Sequence, residues 1–375
     1  MAMLITAAIL AIFVYGIIAA MLGTILPDIS QRFSLTPKQN GNIALFQAVG
    51  LMIGSFSVGP LMDVEGKQVG MLLGLGLVAL ALFLLRGAGG YQSVVLAMML
   101  LGIGGGIVVT AANSLNADID PKNPAVISNW LNLFFGFGGL VTPLISAKLF
   151  QGRPRPLTLF AGTLAIIGLI ASFAAPFKPA SGTVSFQFSA VGSLIADPRL
   201  LGLCAMLFLY VACEVGVWNW LVRHLIAQGV PEGKALTILS LGFALGLLLG
   251  RVGAAQILTQ VDGKTVLMGA SALMAITSFL MLRSVTPGMA QASVFLAGLA
   301  MAPVFPTTLG VVGSKFTGDT AATAIGIAVT FGWFGLVVSS PIIGGIAGAD
   351  PKRLKKALLL IPAASVVMVL VSFTL

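Results

Sequence analysis

Long apolar stretches alternate with short polar breaks along the whole chain. The apolar segments fall near 4–26, 41–62, 69–85, 91–113, 127–150, 157–176, 200–222, 235–257, 265–282, 289–312, 321–346 and 356–375. Each is close to the roughly 20 residues that cross a bilayer as a helix. The strict alternation of a membrane barrel strand is absent. The pattern predicts an all-α membrane protein with twelve transmembrane helices. The first stretch lacks a basic leader and a small-residue cleavage site, so it reads as a retained helix rather than a signal peptide. The longest polar break, Lys178 to Arg199, lies almost at the midpoint. It divides the chain into a six-helix bundle at 1–177, a linker at 178–199 and a second six-helix bundle at 200–375.

The two halves resemble each other. Asp63-Val-Glu-Gly-Lys67 follows the second segment, and Gln260-Val-Asp-Gly-Lys264 follows the eighth at an offset of 197. Phe135-Gly-Phe-Gly-Gly-Leu-Val leads to Pro143 in the fifth segment, and Phe331-Gly-Trp-Phe-Gly-Leu-Val leads to Pro341 in the eleventh, at offsets of 196 to 198. Two matches at one offset predict two pseudo-symmetric bundles. Parallel six-helix repeats are a plan of transporters that work by alternating access. Glycine fits this plan, with 46 residues, many inside helices, such as Gly50, Gly54 and Gly59 and the cluster Gly102, Gly104, Gly105 and Gly106. Small residues let helix backbones approach closely in lipid. Flexibility at a hinge is the functional alternative.

Composition narrows the class. Only 8% of the 375 residues are charged and 58% are hydrophobic, whereas a soluble domain carries roughly 25% charged residues. The net charge of +9 comes from basic residues scattered singly through loops, so no nucleic-acid surface is expected. Cys204 and Cys213 are nine positions apart on one helix and point to opposite faces, which makes them packing residues. There is no metal-ligand spacing, phosphate-binding loop or hydrolase triad. We therefore expect no catalytic residues, no metal and no cofactor.

Polar residues inside the apolar segments are few. Of eleven acids, only Glu214 sits well inside a segment, in LYVACEVGVWNWL. A carboxylate there costs about 2.5–3.5 kcal/mol on insertion scales. It reads as a sugar-hydroxyl acceptor, a proton carrier, or a protonated acid bonding a neighbouring helix. No Lys or Arg is expected deep in a helix, with Arg223, Arg251 and Arg283 placed at helix ends. Phosphates or dicarboxylates would want a midplane cation, so the solute reads as neutral or cationic. Gln47, Asn113, Asn129, Asn132 and Asn219 can donate and accept together, as paired hydroxyls require. Trp218, Trp220 and Trp333 offer flat faces to a sugar ring, and Tyr15 could face the same cavity. Each also has a packing reading, as an interfacial anchor or an interhelical bond.

Gly59-Pro-Leu-Met-Asp63-Val-Glu-Gly66-Lys67 resembles the signature loop between helices 2 and 3 of the major facilitator superfamily, although Val64 stands where an Arg is usual. Gly250-Arg251 followed by Asp262-Gly-Lys264 is similar to its second copy. Further residues resemble the fucose/glucose permease branch. These are Gly23-Thr-Ile-Leu-Pro27, Phe46-Gln47, Thr110-Ala-Ala-Asn113, Leu131-Asn132 and the set Tyr210, Glu214 and Trp218. The resemblance implies a carrier for a monosaccharide of the glucose, mannose or fucose kind. It implies gating by Gly59, Asp63, Gly66, Lys67, Arg251 and Asp262, and contact with substrate by Gln47, Asn113, Asn132, Glu214 and the tryptophans. Val109 and Gly23-Thr24 stand where that branch carries acids, so proton coupling falls to Glu214. Without it the chain is a facilitative uniporter. An exporter of amphipathic compounds is the other alternative.

The family places both termini in the cytoplasm of a multi-pass plasma (inner) membrane protein, with the linker also cytoplasmic. That topology puts seven of the 20 basic residues inside and thirteen outside, against the positive-inside rule. The family orientation is preferred because it places the Asp63 and Asp262 loops inside. The expected partners are a small neutral solute, a proton and the lipid bilayer, and the chain is expected to be a monomer.

Overall fold

The computed structural model describes residues 2–150, 153–179, 188–284, 286–348 and 350–375. Part of the expected linker, 180–187, lies outside the described residues. Twelve helices are long and apolar enough to cross a membrane. In the first half they are α1 (Ala2–Arg32), α2 (Lys38–Glu65), α3 (Lys67–Arg86), α4 (Tyr91–Ile119), α5 (Pro124–Ser146) and α6 (Pro154–Ala174). In the second half they are α7 (Pro198–Ala227), α8 (Glu232–Ile257), α9 (Gly263–Arg283), α10 (Pro287–Lys315), α11 (Gly318–Ala347) and α12 (Lys352–Ser372). No strand occurs among the described residues.

The described remainder of the linker includes a short helix, Phe188–Ala196, where the sequence predicts only a polar break. The last span opens on a basic helical stretch, Pro351–Leu358, so it starts earlier than the apolar pattern indicates. The pattern missed that turn because it is basic, not because it is irregular. Side-chain caps fix several helix starts. Asp197, Asp262, Thr286 and Asp350 each accept a backbone N–H at the head of α7, α9, α10 and α12, which satisfies donors that a helix cannot pair internally.

The chain divides into two compact units. The first holds Met1–Pro124, Leu131–Ile195 and Val312–Thr330, and the second holds Ala125–Trp130, Ala196–Val311 and Phe331–Leu375. Each follows one half of the sequence, except that the first unit takes the end of α10 and the start of α11, while the second takes the first turns of α5.

Inside each unit the glycines make the helix seams. In the first, a Cβ on Gly50 would stand on the Met99 carbonyl, and one on Gly102 on the Gln47 carbonyl, so α2 and α4 touch backbone to backbone. In the second, Gly246 meets the Phe295 carbonyl and Gly298 the Phe243 carbonyl, joining α8 to α10 in the same way. All four pairs of equivalent positions are related by an offset of 196. Gly138 on the Phe13 carbonyl (α1–α5) is likewise repeated by Gly335 on the Phe208 carbonyl (α7–α11). The duplication read from sequence is therefore a duplication of contacts. In lipid, where apolar burial gives no drive between helices, these close approaches hold the bundle. The most enclosed spans are α4 and α10, with 72% and 83% of their apolar windows buried, against 33% and 39% for α6 and α12.

Candidate functional site

In the second unit α7 presents Tyr210, Glu214 and Trp218 four residues apart, which puts them on one helix face. Tyr210 is fully buried, Glu214 is half-buried and Trp218 is 39% exposed. This face thus opens toward its Trp218 end. The Glu214 carboxylate shares this face with Tyr210 and Trp218, and the Arg251 guanidinium acts on it through space. The Tyr210 hydroxyl faces Arg251 as well.

Arg251 corrects the sequence reading. It was expected at a helix end, grouped with the loop residues, and no deep cation was expected at all. Arg251 lies inside α8, which runs on to Ile257, and is only 3% exposed. A buried guanidinium needs a counter-charge nearby, and the Glu214 carboxylate acts on it through space, without a direct ion pair between the two. Gly250 does not end α8. A Cβ there would meet the Ala302 Cβ at 2.5 Å and the Leu299 carbonyl oxygen at 2.8 Å, so its glycine lets α10 pack against α8.

Aromatic rings extend this cluster. Leu239–Ala244 forms a π-helical turn in α8, and its Phe243 meets the Trp218 ring edge-on, 5.2 Å between centroids at 76°. The Phe305 ring is 6.4 Å from both Tyr210 and Trp333, so Trp333 belongs to the same group. Trp220 and Asn219 do not. Six helical steps turn Trp220 about 240° from Glu214. Its ring lies against Gly344 and 5.5 Å beneath the Arg223 guanidinium. Asn219 is exposed and donates to Ser340 Oγ at 2.7 Å.

In the first unit the polar cluster is neutral. Asn113 is fully buried and donates to the Val109 carbonyl at 2.8 Å. Its Oδ1 accepts from Asn132 at 3.1 Å and from Asn116 at 3.4 Å. These bonds tie α4 to α5. One turn beyond Asn132, Phe135 stacks on the buried Tyr15 ring at 5.3 Å. Gln47 is half-buried on α2. The asparagine of the second unit, Asn129, donates to Thr307 Oγ1 at 3.1 Å.

The two signature loops behave differently. Asp63 accepts from the backbone N–H groups of Ala322 (2.9 Å) and Thr323 (2.8 Å), and from the Thr323 hydroxyl at 2.5 Å. It is thus the cap of α11, supplied within the first unit from a residue 259 positions away. Gly59 makes room, since a Cβ there would lie 2.6 Å from the Thr323 Cα. Gly66 turns the chain at φ 91°, a conformation that suits glycine. Lys67 donates to Asp118 (2.5 Å) and to the Ser114 carbonyl (2.8 Å), and Asp118 also pairs with Lys178 at 3.1 Å. Asp262 instead caps its own helix, accepting from the Thr265 N–H (3.0 Å) and hydroxyl (2.6 Å). The Thr265 hydroxyl, aided by backbone N–H groups, holds the Asp262 carboxyl below the usual range. The described residues include no group of His, Cys, Asp and Glu that could hold a metal ion.

Sequence reasoning put Arg251 in the gating set rather than inside the bundle near Glu214, and it missed Asn116, Phe243, Phe305 and the Ala322–Thr323 partner of Asp63. A signal for Arg251 existed, because a lone deep carboxylate asks for a cation and Arg251 is in the next apolar segment.

A model of the Major Facilitator Superfamily matches residues 8–340. The glucose/mannose transporter of Bacillus subtilis is 25% identical over 361 residues, covering 90% of this chain and 86% of that protein. The E. coli fucose:proton symporter shares the fold at a TM-score of 0.86 and 17% identity, covering 99% of this chain and 98% of the other. A human organic anion transporter shares it too, at a TM-score of 0.80 and 16% identity, with coverage of 99% and 98%.

Proposed function

The chain belongs to the Major Facilitator Superfamily, and from that premise we propose that it carries a small neutral polar solute, a monosaccharide, by alternating access. It is a multi-pass membrane transporter, not an enzyme. The observation that carries the substrate class is the Tyr210–Glu214–Trp218 face with Arg251 behind it. That face offers a carboxylate, a hydroxyl and an indole side by side. Glu214 and Arg251 together have no net charge, so the cluster does not select an anion or a cation by charge alone. Carboxylates accept from sugar hydroxyls, and aromatic faces cover the apolar side of a pyranose ring. The resemblance to a glucose/mannose transporter makes those two hexoses the first to test.

Glu214 is also our candidate for proton coupling. Protonation would remove the charge that acts on Arg251, and substrate binding and protonation would then favour the same state. Asn113 donates to the Val109 carbonyl and accepts from Asn132 and Asn116, so we assign Asn113 and Asn132 to the scaffold around the site and keep Gln47 and Trp333 as candidate contacts. We further propose a monomer in the plasma membrane with both termini cytoplasmic. Proteoliposomes loaded with hexose test the reading. Counterflow of labelled glucose or mannose is expected in the wild type. Glu214→Gln is expected to abolish proton-driven accumulation. Accumulation at the wild-type level in that variant would remove Glu214 from coupling and leave a facilitator. Thermal stabilisation by lipophilic cations and not by hexoses would favour an exporter.

A further inference from the structure

The stretch Pro351–Leu358 reads PKRLKKAL and forms the first turns of α12. Lys352, Arg353, Lys355 and Lys356 are exposed, while Leu354, Ala357 and Leu358 are buried. Its apolar side is packed within the protein and its basic side is exposed, which at the end of a membrane span sets four cations at the depth of the lipid headgroups. Asp350, the carboxylate beside it, accepts from the Lys352 N–H at 2.8 Å and lies 3.9 Å from Arg353. One acid leaves most of the positive charge uncompensated.

An apolar groove lies below this helix. It has a volume of about 510 Å³ and runs between α9 and α12, with Ile276 and Phe279 on one wall and Pro362, Ala363 and Val366 on the other. All its lining side chains are apolar. The two helices are antiparallel, because Lys264 at the head of α9 donates to the carbonyls of Phe373 (3.2 Å) and Leu375 (3.1 Å) at the far end of α12. The last residue of α9, Arg283, therefore shares an end of the unit with the basic helix. Its guanidinium lies 5.2 Å over the Phe279 ring, which lines the groove. Pro362, at the groove's upper wall, is one turn beyond Leu358.

We propose that this groove and the basic helix above it bind one anionic phospholipid, with an acyl chain along α9 and α12 and the phosphate among Lys352, Arg353, Lys355, Lys356 and Arg283. The groove takes a hydrocarbon chain and nothing polar. The charges take an anion. Only an anionic lipid uses both. A zwitterionic lipid would fill the groove without drawing on the charges, and a free phosphate would leave the groove unused. The proposal depends on the chain being a membrane protein and not on which solute it carries. It also gives five of the basic residues that the family orientation places outside a role other than setting topology.

Native mass spectrometry of the purified full chain, with dioleoyl phosphatidylglycerol, dioleoyl phosphatidylcholine and glycerol 3-phosphate as probes, tests it. Phosphatidylglycerol should be retained in preference to phosphatidylcholine. Replacing Lys352, Arg353, Lys355 and Lys356 together by Gln should erase that preference, at roughly fivefold per charge in low salt. Ala363→Phe keeps every charge and fills the groove from its exposed side, and should reduce retention of both lipids. Equal retention of the two lipids by the wild type would overturn the proposal. So would wild-type phosphatidylglycerol retention in either variant, or displacement of the lipid by glycerol 3-phosphate at equal concentration.

Discussion

The two halves share a helix plan and the same glycine seams, yet they place charge in opposite ways. In the first half the charges stay at helix ends, where Asp63 caps α11 and Lys67 meets Asp118. Its interior polar cluster is neutral, with Asn113, Asn116 and Asn132 bonding to one another. In the second half an acid and a base, Glu214 and Arg251, lie inside the bundle and act on each other through space, and the loop acid Asp262 caps its own helix. A duplicated frame has thus been specialised. One copy keeps a loop that reaches a distant helix, and the other keeps a loaded interior. Charge in a membrane interior is retained where function needs it, which directs attention to the second half for cargo and coupling.

The largest expected effect tests that loaded interior. Arg251→Leu removes the cation that acts on Glu214 through space, and because the two make no direct ion pair the expected loss is about 2–3 kcal/mol, below the roughly 3–5 kcal/mol of a broken buried pair. The variant should melt far below the wild type in a thermal unfolding assay. The double variant Arg251→Leu with Glu214→Leu should recover much of the loss. Without that recovery the two groups are not coupled. In the first half, Asn113→Ala removes the acceptor that Asn132 and Asn116 share. Interhelical polar bonds in membranes are worth about 0.6 kcal/mol on average and up to roughly 1.7, so a loss of about 1 kcal/mol is expected with substrate affinity kept. A large loss of affinity at unchanged stability would move Asn113 into the binding site. Next is Asp63→Ala, which removes the cap of α11 at a cost of about 1 kcal/mol. With Thr323 replaced by Cys, maleimide labelling of that residue should then speed up roughly fivefold. The native Cys204 and Cys213 are buried and do not compete.

The helices were legible because a span of about 20 apolar residues has one solution in lipid, and the repeat was legible because two motifs, the loop ending in Gly-Lys and the Phe-Gly segment before a proline, recur at one offset. The set Tyr210, Glu214 and Trp218 came from the resemblance to the permease branch, and its four-residue spacing is what one helix face requires. Trp220 could have been excluded by the same helical count, six residues from Glu214. Arg251 was misread because Gly250 looks like a helix end, whereas its missing side chain serves the approach of Leu299 and Ala302. The Asp63 cap was not legible at all, because its partners lie 259 and 260 positions away and backbone N–H groups leave no mark on a sequence. The lipid groove was hidden for a similar reason, since apolar residues on two antiparallel helices become one surface only in three dimensions.

The smallest expected effect separates the two loop acids. Asp262 is exposed, and its carboxyl is held below the usual range chiefly by the Thr265 hydroxyl. A carboxyl depressed in the folded state adds stability that is fully present above its unfolded value of about 3.9. That contribution fades as pH falls through 3.9 toward the lower folded value. Solvent screening keeps the pH-dependent part to a few tenths of a kcal/mol. The difference in melting temperature between wild type and Asp262→Ala should therefore be widest near pH 6 and shrink by pH 3, while the remaining gap reports the neutral cap. A gap that does not change with pH would mean that the carboxylate's charge contributes nothing at the head of α9. The two copies of the loop would then differ in reach alone, with Asp63 holding a distant helix and Asp262 serving as an ordinary cap.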